Sequence, residues 1–395
     1  MSRRIYQSKD SYRRVPSQIL SALDSIYGPL CDAHQVAKVS QGLEKLHRGL
    51  TRDRKRFIKS RYLKDKDVSL AYSTYMVCAQ APKLDAIVDR LGPLPTLNRP
   101  LRVLELGCGP GTGIASLGCL AATQGIEIEH TATDRVPEAL EAAQRLADAL
   151  KFSHVDYKLV DLSRGIARQL DDPPPFDLVL CMNVLNELNA DRLRLMSREL
   201  KHLLTPEGQI LVIEPAAQVP SRHVIQFRDA CVEQGWHVAA PCPHDEACPM
   251  LDDEKDWCHD TWGFERPEFM ELVDVRVGTR RETLKATWFL FKKAEIRPAQ
   301  TLIPARIISE QFKEKGRIHA KVCTDAGLKT LELQKRDRTP GNRAFSKVYR
   351  YDLIAYSNSS VIGRRERLNK DSLCEFLAED GTLSETAADP DDHTS

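Results

Sequence analysis

Three cysteines stand close together in a segment that proline makes stiff: APCPHDEACPM at 240–250, then DWCH at 256–259. Proline removes a backbone donor and fixes φ, so this segment reads as neither a helix nor a central strand. Cys242 and Cys248 have five residues between them, and Cys248 and Cys258 have nine. Zinc knuckles use the much shorter Cys-x-x-Cys. Three thiolates on one loop leave a fourth ligand position, for which His244, His259 and the distant Cys323 are candidates. Four sulfurs suit a 4Fe-4S cluster, whereas three sulfurs and an imidazole suit zinc. The plain alternative is three unliganded thiols. Eleven cysteines without a recognisable signal peptide point to a reducing compartment, where clustered thiols bind metal rather than pair as disulfides. Cys31, Cys78, Cys119, Cys181, Cys231 and Cys374 lie in apolar or helical stretches and read as small core residues.

The second stretch with chemical content is VLELGCGPGTG at 103–113. Gly107, Gly109 and Gly111 follow an apolar run and precede a helical one, where glycine permits a tight turn and close approach of amides to a ligand. The spacing is G-x-G-x-G, and it resembles motif I of Rossmann-like methyltransferases, which bind S-adenosylmethionine. That resemblance implies that the three glycines approach the methionine and ribose moieties, with Glu105 in the strand before them. It implies that Asp134, after the second strand, accepts bonds from the ribose hydroxyls, and that Asp161, after the third, sits beside the adenine. Asn183 and Asn186-Glu187 follow the fourth strand and are expected to face the crevice at the strand ends. Cys108 is expected to line the pocket and not to act as a nucleophile. A nicotinamide-binding loop, or a pocket without a cofactor, is the other reading of the glycines. MNVLNEL stands where amino-methylating enzymes carry Asn-Pro-Pro-Tyr, and no general base is evident, so no catalytic residue is assigned. Methyl transfer from a sulfonium can proceed largely by alignment, so a missing base does not exclude it.

These residues need elements to position them. Residues 15–93 carry apolar side chains at three and four spacing and predict helices, and GPLPTLNRP (92–100) predicts a linker. From 101 onward short apolar runs alternate with helical stretches, which predicts a doubly wound parallel sheet. The runs in FMELVDVRVG and LKATWFLFKK predict an antiparallel pair at its edge. PARIISEQ, RIHAKVCTDAGLKTLELQKR and FSKVYRYDLI alternate like strands, with a turn at Asp325-Ala326-Gly327. The expected organisation is an α/β chain: an N-terminal basic helical region (1–95), a Rossmann-like class I methyltransferase core (96–300) with the cysteine loop at 240–259, a small basic all-β module (301–370) and a disordered acidic tail (371–395).

Charge is unevenly spread. Net charge is +1, yet residues 1–66 hold 16 Lys/Arg against 6 Asp/Glu and residues 301–370 hold 16 against 7. Two basic flanks around an acidic centre suggest nucleic acid met by the ends. A solvated helix face is the bland alternative for the run at 51–66. No apolar stretch is long enough to span a membrane, and neither a secretory leader nor a clean amphipathic presequence is legible.

VLELGCGPGTG, MNVLNEL, IEP, APCPHDEACPM and DWCH together resemble the methyltransferase-like assembly factors of the small ribosomal subunit, mitochondrial proteins with bacterial relatives. The resemblance runs from about AYSTYM (71–76) through the β module. It implies a 4Fe-4S cluster held by Cys242, Cys248, Cys258 and Cys323, structural rather than redox-active, that pins the β module. It implies S-adenosylmethionine in the glycine pocket and, as partners, small-subunit rRNA and the pre-ribosomal small subunit, bound by a monomer. Arg52, Arg54, Lys55, Arg56, Lys335, Arg336 and Arg338 are the expected phosphate contacts. The expected compartment is the cytoplasm, with the mitochondrial matrix as alternative. The rival functions are an active RNA methyltransferase and a non-enzymatic zinc-stabilised RNA-binding module. One departure stands out: the family tends to Glu-Pro-Gly after the fifth strand, and this chain has Glu214-Pro215-Ala216.

Overall fold

Parallel strands buried on both faces need apolar runs joined by helical crossovers, and the central part of the chain supplies them. The computed structural model describes residues 12–52, 62–252, 256–293, 302–363 and 365–383. The chain divides into two compact units, Met1–Phe227 with His259–Trp288, and Arg228–Cys258 with Phe289–Ser395.

The first unit opens with a two-residue strand β1 (Tyr12–Arg13) and helices α1 (Ser17–Tyr27), α2 (Ala33–Arg52), α3 (Lys66–Ala71) and α4 (Val77–Leu91). The α3 helix starts on Asp65, whose carboxylate accepts from the amides of Asp67 and Val68 and so caps it. A turn of π-helix, Tyr72–Met76, joins α3 to α4. Ile19, Leu23, Leu43 and Tyr75 share a core with Phe264, Met270 and Val273. The helical region therefore does not form a compact unit of its own, and the division at 95/96 separates none. Its apolar stripe is buried inside the unit that carries the sheet.

Next come β2 (Leu101–Leu106), α5 (Thr112–Gln124), β3 (Ile128–Asp134), α6 (Pro137–Ala149), β4 (Val155–Leu159), β5 (Phe176–Met182), α7 (Ala190–Leu203) and β6 (Leu204–Pro215). They are followed by α8 (Gln218–Glu233), β7 (His237–Ala240), β8 (Asp260–Phe264), α9 (Glu268–Val277) and β9 (Thr283–Lys292). Strand order is β1-β8-β9-β6-β5-β2-β3-β4. The β2 strand pairs in parallel with β3 on one side and β5 on the other, with Leu104 opposite Thr131 and Val179. The chain order reverses there, and the carboxyl ends of β2 and β5 open a crevice. The expected Rossmann-like core is present.

One element differs from expectation. Residues 268–277 form helix α9, not a strand. Their valines favour extended chain, but Pro267 precedes the first turn, Glu268 and Glu271 lie in it, and Gly278 closes the helix with φ 73. Phe269, Met270 and Val273 are its buried face. The strand that pairs antiparallel with β9 is β8 instead.

In the second unit β7 pairs with the last residues of β9, Leu290 to Lys292. The β module follows as β10 (Ile303–Ile307), β11 (Phe312–Glu314), β12 (Arg317–Thr324), β13 (Gly327–Gln334), β14 (Leu353–Tyr356), β15 (Ser359–Ile362), β16 (Arg365–Leu368) and β17 (Cys374–Leu377). Order is β15-β16-β13-β12-β10-β14-β17, with β11 on β12. The β12–β13 hairpin turns at the expected place, Thr324 opposite Gly327. Ile307, Val322, Leu331, Phe345, Ile354 and Tyr356 fill its core. The sheet continues through β17, which pairs with β14, so the module runs past residue 370. Residues 384–395 of the expected tail lie outside the described residues. Among the described residues no helix is long and apolar enough to cross a membrane.

Candidate functional site

The glycine loop hangs between the carboxyl end of β2 and the start of α5, so local chain direction alone puts its amides at the crevice. Glu105, Gly107, Gly109, Asp134, Asp161 and Asn183 line one pocket there, together with Cys108. Gly107 has φ +68, and a Cβ on it would collide with the Val184 side chain from the loop after β5. Gly111, expected in the pocket, is not part of its wall. Its φ of +91 and its approach to the Ala143 backbone on α6 explain why glycine stands there.

The acids are held by different means. Asp134 accepts from the Gly109 amide at 3.0 Å and from the Val136 amide at 2.9 Å. Burial raises its pKa, and these backbone donors resist that rise. Asp161 takes the Ser163 hydroxyl at 2.7 Å, and that bond draws its carboxyl below the usual range. Glu105 is buried and pairs with His130 Nε2 at 2.9 Å. Asn183 has φ 59, and its Oδ1 is buried with no hydrogen-bond partner among the described residues. Such a polar atom in a cavity wall suits a ligand carrying a donor. Cys108 is buried, and burial with the nearby Asp134 and Glu105 pushes its thiol well up, so it is no nucleophile.

Some pocket residues escaped the sequence reading. Tyr72, Met76 and Gln80 come from the π-helical turn and α4, four residues apart along one face. Glu214 is another. Fully buried, it accepts from the Leu185 amide at 2.8 Å and from the Asn186 side chain. The departure Glu214-Pro215-Ala216 therefore retains an acid that fastens the MNVLNEL loop. Burial pushes its carboxyl up to about 7 against those donors. On α4, burial brings the Lys83 amine down to about 7.

Cys242, Cys248, Cys258 and Cys323 all belong to the second unit. Cys323 lies on β12, opposite Arg306 of β10 and Leu328 of β13. Burial raises its pKa well above that of a free thiol, and the charges of Cys242, Cys248 and Cys258 raise it further, with Arg306 opposing. Cys248 is raised by burial first and then by Cys242 and Cys258. Four thiols that act on one another this way share one neighbourhood. His244 Nε2 is 3.3 Å from Cys323 Sγ, while His259 falls in the first unit. Among the described residues no three His, Cys, Asp or Glu are arranged to hold a metal ion as they stand.

Two arginines lie at the thiols that no motif signalled. Arg228 on α8 is 0% exposed and Arg306 is 2% exposed. Arg228 donates to the carbonyls of His244, at 2.7 Å, and Glu246, and to Asp229 Oδ1 at 2.6 Å. The other Asp229 oxygen accepts from the Cys248 amide at 3.2 Å. Arg306 donates to the Pro241 carbonyl at 2.8 Å. Burial works against the Arg228 charge, yet Cys242, Asp229 and Cys248 outweigh it and hold its pKa above the ordinary value. Of the other cysteines, Cys78, Cys119, Cys181, Cys231 and Cys374 are buried as expected, whereas Cys31 is exposed.

The expected phosphate contacts divide. Arg54, Lys55 and Arg56 lie outside the described residues, as does the side chain of Arg52. Lys335 and Arg338 line a groove in the β module, and Arg336 does not, standing 4.0 Å from Asp337 instead.

Residues 66–348 match the family described as mitochondrial small ribosomal subunit Rsm22. Citrinin polyketide synthase of Monascus ruber is 29% identical over 172 residues, 41% of this chain and 6% of that protein. Highly reducing polyketide synthase 2 of Gibberella zeae is 33% identical over 166 residues, 38% of this chain and 6% of that protein. The chain thus spans about 6% of the length of these curated relatives. Among solved structures, an O-methyltransferase family protein from Burkholderia thailandensis is 18% identical, covering 55% of this chain and 71% of its own, at TM-score 0.41. Magnesium protoporphyrin IX methyltransferase from Synechocystis, with bound SAM, is 14% identical over 58% of this chain and 83% of its own, at TM-score 0.34. The methyltransferase-like fold rests on strand order and the crevice it opens.

Proposed function

Because the chain belongs to the Rsm22 family of the mitochondrial small ribosomal subunit, we propose that it is a methyltransferase-like assembly factor acting on that subunit's rRNA. It would hold S-adenosylmethionine in the glycine pocket and a 4Fe-4S cluster on Cys242, Cys248, Cys258 and Cys323. The family's description favours the mitochondrial matrix over the cytoplasm.

One observation carries the metal reading: two almost fully buried guanidiniums lie among four half-buried thiols. A buried cation is unfavourable by several kcal/mol unless a negative charge faces it. Asp229 answers Arg228 in part. Neutral thiols would answer neither arginine. Four thiolates around a cationic metal centre retain net negative charge, which two guanidiniums balance. Four soft sulfurs also match iron–sulfur chemistry better than a mixed zinc set, and His244 is then a hydrogen-bond donor to Cys323 sulfur, not a ligand. When bound, the cluster supplies a cross-link between the loop and β12.

In the glycine pocket the Gly109 amide sets the Asp134 carboxylate, Asn183 Oδ1 offers an acceptor, and Glu214 holds the loop that carries Asn183 and Glu187. These residues bind and orient a donor, which is what methyl transfer chiefly needs.

Anaerobic purification with iron, sulfide and zinc quantitation tests the assignment. About four irons and four sulfides per chain, with absorption near 400 nm, are expected. Zinc alone would sink the cluster and leave the zinc-stabilised binding module. Labelled methyl appearing in rRNA, and vanishing in Asp134→Ala, would move the protein to an active methyltransferase.

A further inference from the structure

The β module carries a groove of about 490 Å³ beside the β11–β12 hairpin, whose turn is Gly316. Five cations line it: Lys313, Arg317, Lys335, Arg338 and Lys347. Glu314 is the acid among the lining residues, and it is already engaged, by Arg317 Nη2 at 2.6 Å and His319 Nε2 at 3.1 Å. Arg317 reaches Glu332 as well, at 3.1 Å. Among the described residues Lys313, Lys335 and Arg338 have no acidic partner, so the groove keeps uncompensated positive charge.

The placement is rigid for such long side chains. Lys313 pairs with Ile318, and Ile318 with Leu333, so the groove crosses three neighbouring strands. The Lys335 amide donates to the Gly316 carbonyl at 2.9 Å, fixing the end of β13 against the hairpin turn. Strands about 4.8 Å apart then hold Lys313 and Lys335 roughly 10 Å from each other. Leu333 belongs to the module's core and Ile318, half-buried, packs against it, so the groove presents mostly charge rather than apolar anchors. Protein partners are usually gripped by buried aromatic or aliphatic anchors, whereas phosphates are met by exposed lysine and arginine.

We infer that this groove binds an RNA strand through its phosphates, with little regard to base sequence. The inference rests on the proposed rRNA role and relocates its contacts, from Lys335, Arg336 and Arg338 to Lys313, Lys335, Arg338 and Lys347 around one hairpin. The test uses full-length protein and fluorescence anisotropy with a mixed-sequence single-stranded RNA of about 20 nucleotides. The triple variant Lys313→Glu, Lys335→Glu, Arg338→Glu should bind at least about tenfold more weakly. Its log–log salt slope should fall by about 2, from roughly 0.7 per phosphate contact on a single strand. The neutral triple, each residue changed to Gln, guards against misfolding and should show an intermediate loss with an unchanged melting temperature. A charge-matched control, Lys321→Glu, Lys329→Glu, Arg336→Glu, should change affinity less than about threefold. Equal losses in the groove and control variants, with wild type binding well, would overturn the groove and leave the rRNA role standing. No binding by the wild-type chain would remove the rRNA role itself.

Discussion

The glycine pocket and the thiol neighbourhood are built on opposite plans. Pocket residues sit at the ends of adjacent parallel strands, so backbone pairing delivers them, and backbone amides satisfy Asp134. The thiols come from a proline-stiff loop and from β12, and side chains deliver them: Arg228 and Arg306 hold the carbonyls at 241, 244 and 246. The pocket's acids already have donors in the chain: backbone amides for Asp134, the Ser163 hydroxyl for Asp161 and His130 for Glu105. The thiol neighbourhood differs, because it buries two cations beside groups that are uncharged as free thiols. A site formed by backbone register should tolerate loss of one side chain. A site formed by convergence should not.

That contrast can be broken experimentally. Cys242→Ser or Cys323→Ser should abolish iron and sulfide and lower stability by several kcal/mol, roughly 10 °C or more in Tm, since binding energy at such a site is folding energy. Cys119→Ser, a change at a buried thiol on α5, should shift Tm by only a few degrees. Similar behaviour of the two classes, by metal analysis and calorimetry, would mean that no centre forms. Next in size is Arg228→Ala, which leaves Asp229 and two loop carbonyls without their donor and should lose about 3 kcal/mol with most of the iron. Arg228→Lys should restore part of the iron content. If Arg228→Ala loads fully, charge balance is not what holds the thiols.

The pocket's effects should be smaller and differently shaped. Glu214 has a folded pKa of about 7 against an ordinary 4.5. Its contribution is fully present below about 4.5 and is lost as pH rises through about 7, a span of about 3 kcal/mol. Glu214→Gln should flatten urea-measured stability across that window. The Lys83 effect has the opposite sign and lies higher: its depressed pKa makes stability rise between about 7 and 10.5. An unchanged slope in Glu214→Gln would show that another group titrates there. Asp134→Ala should weaken S-adenosylmethionine about 10- to 100-fold by calorimetric titration while Tm moves little. The smallest effect is Gly111→Ala, about 1–2 kcal/mol in stability from the positive φ and the Ala143 approach, with ligand affinity kept. A selective loss of affinity there would return Gly111 to the pocket.

Most of the sheet was legible in the chain, and six of the seven residues expected at the glycine loop lie in one crevice wall, because apolar runs, helical stretches and glycines follow one another in the order of a doubly wound fold. Where valine content outweighed the Pro267 and Gly278 punctuation, residues 269–278 read as a strand although 268–277 form a helix. Tyr72, Met76 and Gln80 were hidden because a helix face gives no sign of which cavity it will cover.

By itself, then, the sequence determined which cysteines cluster on the proline-stiff loop and the strand-end positions of Asp134, Asp161 and Asn183, since local spacing and backbone periodicity set both. Only the tertiary structure decided that Cys323 joins the loop thiols, that Arg228 and Arg306 flank them, and that Glu214 fastens the loop after β5. The reason is physical: burial and charge compensation depend on what surrounds a side chain in space, and no neighbour in the chain carries that information.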